Sequence, residues 1–125
     1  MRLETNCFKV QDYEVFLKNM EKFEIADSIF KMSGMNEGKI MIKHDGDFQE
    51  HISDDDSGDE WSFSIEISKH LTEDSVCVIM AIVEEEVAVG SHWIMAIDST
   101  GKEFSYLLND FLTKAEEEFP GKQIR

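Results

Sequence analysis

The chain has 125 residues, 42% of them hydrophobic and 10% aromatic, and its 27 acidic side chains against 12 basic ones leave a formal net charge of −15. That length and apolar share suit one domain folded around one core and exclude wholesale disorder. The sign of the charge disfavours direct binding to nucleic-acid phosphates or to anionic lipid, and no apolar run approaches the ~20 residues that span a bilayer.

Residues 6–10 (NCFKV) alternate weakly and predict a short strand. The period then changes. Tyr13, Phe16, Met20 and Phe23 recur at three- and four-residue spacing, with Glu14, Lys18, Glu21 and Lys22 on the other side, which predicts an amphipathic helix. Asp12 is placed to cap it, and Glu14 suits its positive end. Two apolar segments flank the Gly34 to Gly38 stretch and predict a hairpin, with Ile29 to Met32 opposite Ile40 to Lys43.

Asp45 to Glu60 reads as a long acidic surface loop. Between Lys43 and Trp61 there is no positive charge, while eight positions are Asp or Glu. Residues 61–71 (WSFSIEISKHL) fit two patterns. Trp61, Phe63, Ile65 and Ile67 alternate as in a strand, whereas Phe63, Ile67 and Leu71 share a helical face; the balance leans narrowly to helix. Beyond it, SVCVIMAIV is a central strand by its β-branched content, VAVGSHWIMAI a second, and EFSYLL a third after the Asp98 to Gly101 turn. Asn109 is expected to cap a last helix with Phe111, Leu112, Ala115 and Phe119 facing inward, stopped by Pro120 and Gly121. The expected fold is a single α+β domain, a mostly antiparallel sheet of four to six strands with two or three helices packed mainly on one face.

Charge is the feature that bears most on function. Residues 1–43 hold seven basic and seven acidic groups, residues 44–101 hold Lys69 alone against fifteen acids, and residues 102–125 hold four bases against five acids. Like charge at that density must stay solvated or meet counter-charge.

Specific chemistry finds little support. Asp55, Ser57, Asp59 and Glu66 take the first, third, fifth and twelfth places of an EF-hand-like loop, but Glu60 stands where the sharp turn needs Gly. Starting at Ser53 puts Gly58 in the turn and Ser64 where the bidentate carboxylate belongs. His44, Asp47 and His51 lack zinc-motif spacing, and neither Cys7 nor Cys77 belongs to a CxxC, so no metal or other cofactor is expected. No nucleophile elbow, phosphate loop or dinucleotide fingerprint occurs, and catalysis is the minority reading. Two cysteines make no disulfide framework, although one bridge between them stays open, and a reducing cytosol is the simplest compartment.

The leading expectation is therefore a protein-binding module whose acidic face meets a basic protein surface. Nucleic-acid-binding proteins are the commonest owners of such surfaces, so its concrete form is a DNA-mimic inhibitor of a nuclease, restriction enzyme or CRISPR effector. The candidate residues are Asp54, Asp55, Asp56, Asp59, Glu60, Glu84, Glu85 and Glu86, with Trp61 and Phe48 adding contacts after docking and Asp45, Asp47 and Glu50 widening the patch. The general arrangement resembles accessory proteins of phages and mobile elements, by analogy alone. One alternative is a small enzyme or ligand-binding domain, acidic for solubility, with a pocket near Cys7, His92 or Tyr106. Another is an accessory or immunity-like domain with its contact surface elsewhere. An exposed strand edge leaves homodimerisation open as well.

Overall fold

In the first strand, β1 (Arg2–Thr5), Leu3 and Thr5 are buried while Arg2 and Glu4 alternate with them on the other face, the period-two signature of a strand covered on one side. The computed structural model describes residues 2–82 and 92–123. β1 pairs antiparallel with β3 (Ile40–Asp45) and with β6 (Val76–Ile82), which makes it an interior strand. Residues 6–10, expected as a strand, form instead the exit from it. The Asn6 side chain donates to the Val76 carbonyl at 3.0 Å and accepts from the Val78 N–H at 2.8 Å, so it substitutes for backbone and ends the ladder. Phe8 and Val10 then make isolated bridges to Ile40 and Leu71.

The full sheet has the order β2-β3-β1-β6-β7-β8, with β2 at Ile29–Lys31, β7 at Trp93–Asp98 and β8 at Glu103–Leu107, and every pairing is antiparallel. The expected hairpin is present, and so are the three late strands over their described residues; 83 and 87–91, which the sequence pattern assigns to the first two of them, lie outside those residues. Helix α1 (Tyr13–Met20) begins where the sequence placed it, since Asp12 Oδ1 accepts the Val15 N–H at 3.2 Å, and it buries Phe16 and Met20. The ambiguous segment is the helix α2 (Phe63–His70), which buries Phe63 and Ile67, while Trp61 falls in the strand before it. These two helices cover one face of the sheet, and their apolar side chains form a single cluster with Leu3, Ile42, Cys77, Ile79 and Ile97. Cys7 and Cys77 are both free thiols.

Two expectations are corrected. Residues 45–60 are not all loop: β4 (His51–Ser53) pairs antiparallel with β5 (Glu60–Ser62) as a separate two-stranded ribbon. Helix α3 (Leu108–Glu118) has no buried residue, and Phe111 and Phe119 are exposed rather than inward, because α1 and α2 already fill the inner face of the sheet. Its cap position is Leu107, not Asn109. No described helix is long and apolar enough to cross a membrane.

Candidate functional site

The acidic candidates sit on the β4–β5 hairpin, and local chemistry explains its shape. Asp54 N–H donates to the Asp59 carbonyl at 2.8 Å, and Gly58 N–H donates to the Asp54 carbonyl at 2.7 Å, closing the turn. Gly58 has φ +76°, a backbone that L side chains enter only at a cost. Inside the turn, Asp54 Oδ1 accepts the Asp56 N–H at 2.9 Å and Asp59 Oδ2 accepts the Ser57 hydroxyl at 3.1 Å. The Asp56 N–H, helped by Ser57, holds the Asp54 carboxyl below the ordinary carboxylate range.

The charges themselves point outward. Asp55, Asp56, Asp59 and Glu60 are exposed and Asp54 is half-buried. Among the described residues, no Lys, Arg or His forms an ion pair with any of these five. The structure thus leaves a short, hydrogen-bonded ribbon tip with its negative charge uncompensated by described neighbours.

Beside the tip lies a shallow cavity of about 410 Å³ lined by His51, Ile52, Glu60, Trp61, Ser62 and Ile65. Ile65 is an exposed apolar residue on α2, and Trp61 is half-buried against the core. Lys22 Nζ lies 4.4 Å from the centre of the Trp61 ring, a cation–π contact from the end of the α1 region. Phe48, expected to contact a partner, is used inside the protein. Its ring packs edge-on against Phe63 at 4.8 Å and beside His44 at 6.4 Å, anchoring the hairpin to the core.

Other candidates are dispersed by the fold. Glu66 is buried in α2, where it accepts from Asn19 Nδ2 at 3.1 Å and from Lys69 Nζ at 3.2 Å, so it does not join Asp55 and Asp59 around a cation. His44 Nδ1 meets the Ser28 hydroxyl at 2.8 Å and His44 Nε2 the Asp47 carbonyl at 2.9 Å. A carbonyl only accepts, so Nε2 carries a proton there. Among the described residues no group of three or more His, Cys, Asp or Glu side chains is arranged to hold a metal ion. Burial pushes the Cys77 thiol far up, which makes it a packing residue rather than a nucleophile. Glu84, Glu85 and Glu86 lie outside the described residues.

The pocket expected near Cys7, His92 or Tyr106 has a partial counterpart. A groove of about 760 Å³ between α3 and the outer face of the sheet is lined by His92 and Tyr106 with mainly apolar neighbours, and Cys7 is not part of it. Sequence reasoning placed His92 and Tyr106 at a pocket but missed the wall that α3 contributes through Leu108 and Phe111, as it missed Ile65 and Lys22 beside Trp61. The signal for Ile65 was its position opposite Phe63 and Ile67 on the helix; none existed for Lys22, whose approach to Trp61 is set by tertiary packing. No protein family, characterised protein or solved structure matches the chain.

Proposed function

We propose that this protein is a binding module that docks its acidic β4–β5 hairpin on the basic surface of a nucleic-acid-binding protein, in the place that nucleic acid would occupy. The observation that supports this most is the hairpin tip, where Asp54, Asp55, Asp56, Asp59 and Glu60 stand on a hydrogen-bonded turn with no ion-pair partner among the described residues. Uncompensated carboxylates make the local potential more negative and speed encounter with a cationic surface. Trp61 and Ile65, in the cavity that Glu60 also lines, supply apolar surface for the docked state.

The test is capture of partners by tagged protein, with duplex DNA or RNA added as competitor. A nucleic-acid-binding protein that is retained in low salt, displaced by competitor and lost when Asp54, Asp55, Asp56 and Asp59 become Asn and Glu60 becomes Gln supports the proposal. A partner indifferent to both competitor and substitutions, or no partner, contradicts it.

A further inference from the structure

We infer that the edge of β8, which no described strand pairs, is a self-association surface, on which a second copy of this chain extends the sheet by antiparallel pairing centred on Ser105. The two edges of the sheet differ. β2 is three residues long and carries Lys31, whereas β8 has five residues, Glu103 as its single charge, and no proline. Longer edges with little charge and exposed apolar side chains are the ones that recruit another strand.

The hydrogen-bond pattern gives the register. Leu108 N–H donates to the His92 carbonyl at 2.8 Å and Asp98 N–H to the Lys102 carbonyl at 3.1 Å, flanking the ladder in which Ile94 faces Tyr106 and Ala96 faces Phe104. Bonded pairs alternate along an antiparallel ladder, so the even-numbered residues of β8 spend their backbone groups on β7. Glu103, Ser105 and Leu107 therefore turn theirs to the open edge. A two-fold axis at Ser105 pairs Ser105 with its own counterpart and Glu103 with the partner subunit's Leu107, using all three outward residues. The two Glu103 carboxylates then sit at opposite ends of the strand pair.

Side chains favour the same register. Phe104 and Tyr106 lie on the outer face with ring centroids 5.9 Å apart. Across the axis Phe104 faces the partner subunit's Tyr106, so four aromatic rings meet in one cluster. In the described chain Phe104 is 59% exposed, Tyr106 60%, Phe111 67% and Phe119 59%. At ~200 Å² for each ring, the three that lie on this strand or in the groove beside it, Phe104, Tyr106 and Phe111, offer about 370 Å², nearly half of the ~800 Å² per partner of a standard interface. The groove under α3, lined by Met80, Ile94, Tyr106, Leu108 and Phe111, opens beside the same edge and adds further apolar area. Strands β1, β6 and β7 separate this edge from β3, whose His44 lies beside the hairpin anchor Phe48, so pairing here leaves the acidic tip available.

The test is sedimentation velocity of the full chain over a wide concentration range, and the expected result is a mass that doubles as concentration rises. Ser105→Pro removes an N–H that β7 does not use and is expected to give a monomer with unchanged circular dichroism. Ser105→Cys, made with Cys7→Ser, is expected to form a disulfide dimer on mild oxidation, because bonded antiparallel pairs hold Cα atoms ~5.5 Å apart. Glu103→Cys in the same background should not, since its counterpart lies four residues along the facing strand, about 15 Å away at ~3.4 Å per residue. If Ser105→Pro fails to fold, the two cysteine variants decide. A wild-type chain that stays monomeric, or a dimer cross-linked through position 103 and not through 105, overturns the inference.

Discussion

The side-chain amide of Asn19 in α1 lies 2.8 Å from Nε2 of His70 in α2, so the imidazole accepts a hydrogen bond and is held neutral with its proton on Nδ1. The same amide nitrogen donates to the buried Glu66 at 3.1 Å, and the His70 ring packs edge-on to Phe16 at 5.4 Å. One amide thereby ties together the two helices that cover the sheet.

A pH dependence follows from this contact. Burial pushes the His70 imidazole below its ordinary value, against the Glu66 carboxylate and with help from Lys22 and Lys69. Below pH ~6.5 the unfolded chain binds a proton there that the folded chain resists, so stability is complete above that pH and is lost as pH falls. Glu66, whose Asn19 and Lys69 hydrogen bonds outweigh its desolvation and lower its carboxyl, contributes stability that is lost only at more acid pH, below about 4.5. Urea melts between pH 7 and 5 should show declining stability in the wild type and a flatter profile in His70→Gln. An unchanged slope in the variant would assign the dependence elsewhere.

Phe63 is the hinge between hairpin and core, with Phe23 at 5.2 Å and Phe48 at 4.8 Å from its ring. Phe63→Ala should cost about 3–5 kcal/mol in chemical denaturation, a large share of the ~5–15 kcal/mol that holds a domain together. A loss below about 1 kcal/mol would show that the site collapses without a cavity.

How much of this was legible in sequence depended on how far each element carries its own pattern. Helix α1 was readable from Tyr13, Phe16 and Met20 at helical spacing behind Asp12, and α2 from Phe63 and Ile67 once the serines were allowed on a buried face. β1 was missed because four residues hold too short an alternation. It is a strand because β3 and β6 supply backbone partners on both sides. The hairpin strands β4 and β5, three residues each, owe their pairing to the Phe48 anchor rather than to local propensity. The acidic tip could be read as charge, whereas its turn geometry and the Lys22 contact with Trp61 could not. The apolar spacing of Phe111 and Phe119 correctly gave a helix but not the absence of a covering surface in the described chain.

Gly58 sets the shape of the acidic tip, and no atom beyond its chain neighbours lies within 4 Å of where a Cβ would be. Gly58→Ala should therefore cost about 1 kcal/mol through backbone strain alone, without a steric clash. Because the turn positions the carboxylates, the same variant should also weaken partner binding with its charge intact. Unchanged affinity would mean that charge count, not turn geometry, governs docking.

The thiols give a simple probe of the core. Cys77 is fully buried and Cys7 half-buried, and desolvation keeps the Cys77 thiol protonated. A thiol reagent should modify at most one cysteine of the native chain, with Cys77 reacting at the rate of unfolding. Rapid modification of both would contradict the packing of β6 described above.

Docking through the acidic hairpin is tested most directly by the association rate with a captured nucleic-acid-binding partner, measured against ionic strength. The wild type should associate fast in low salt and slow steeply as salt rises, as screening over ~10 Å at 0.1 M requires. The variant with Asp54, Asp55, Asp56, Asp59 and Glu60 neutralised should associate at least about tenfold more slowly, equivalent to ~1.4 kcal/mol, and depend little on salt. Equal rates and equal salt dependence for the two proteins would contradict the hairpin as the docking surface.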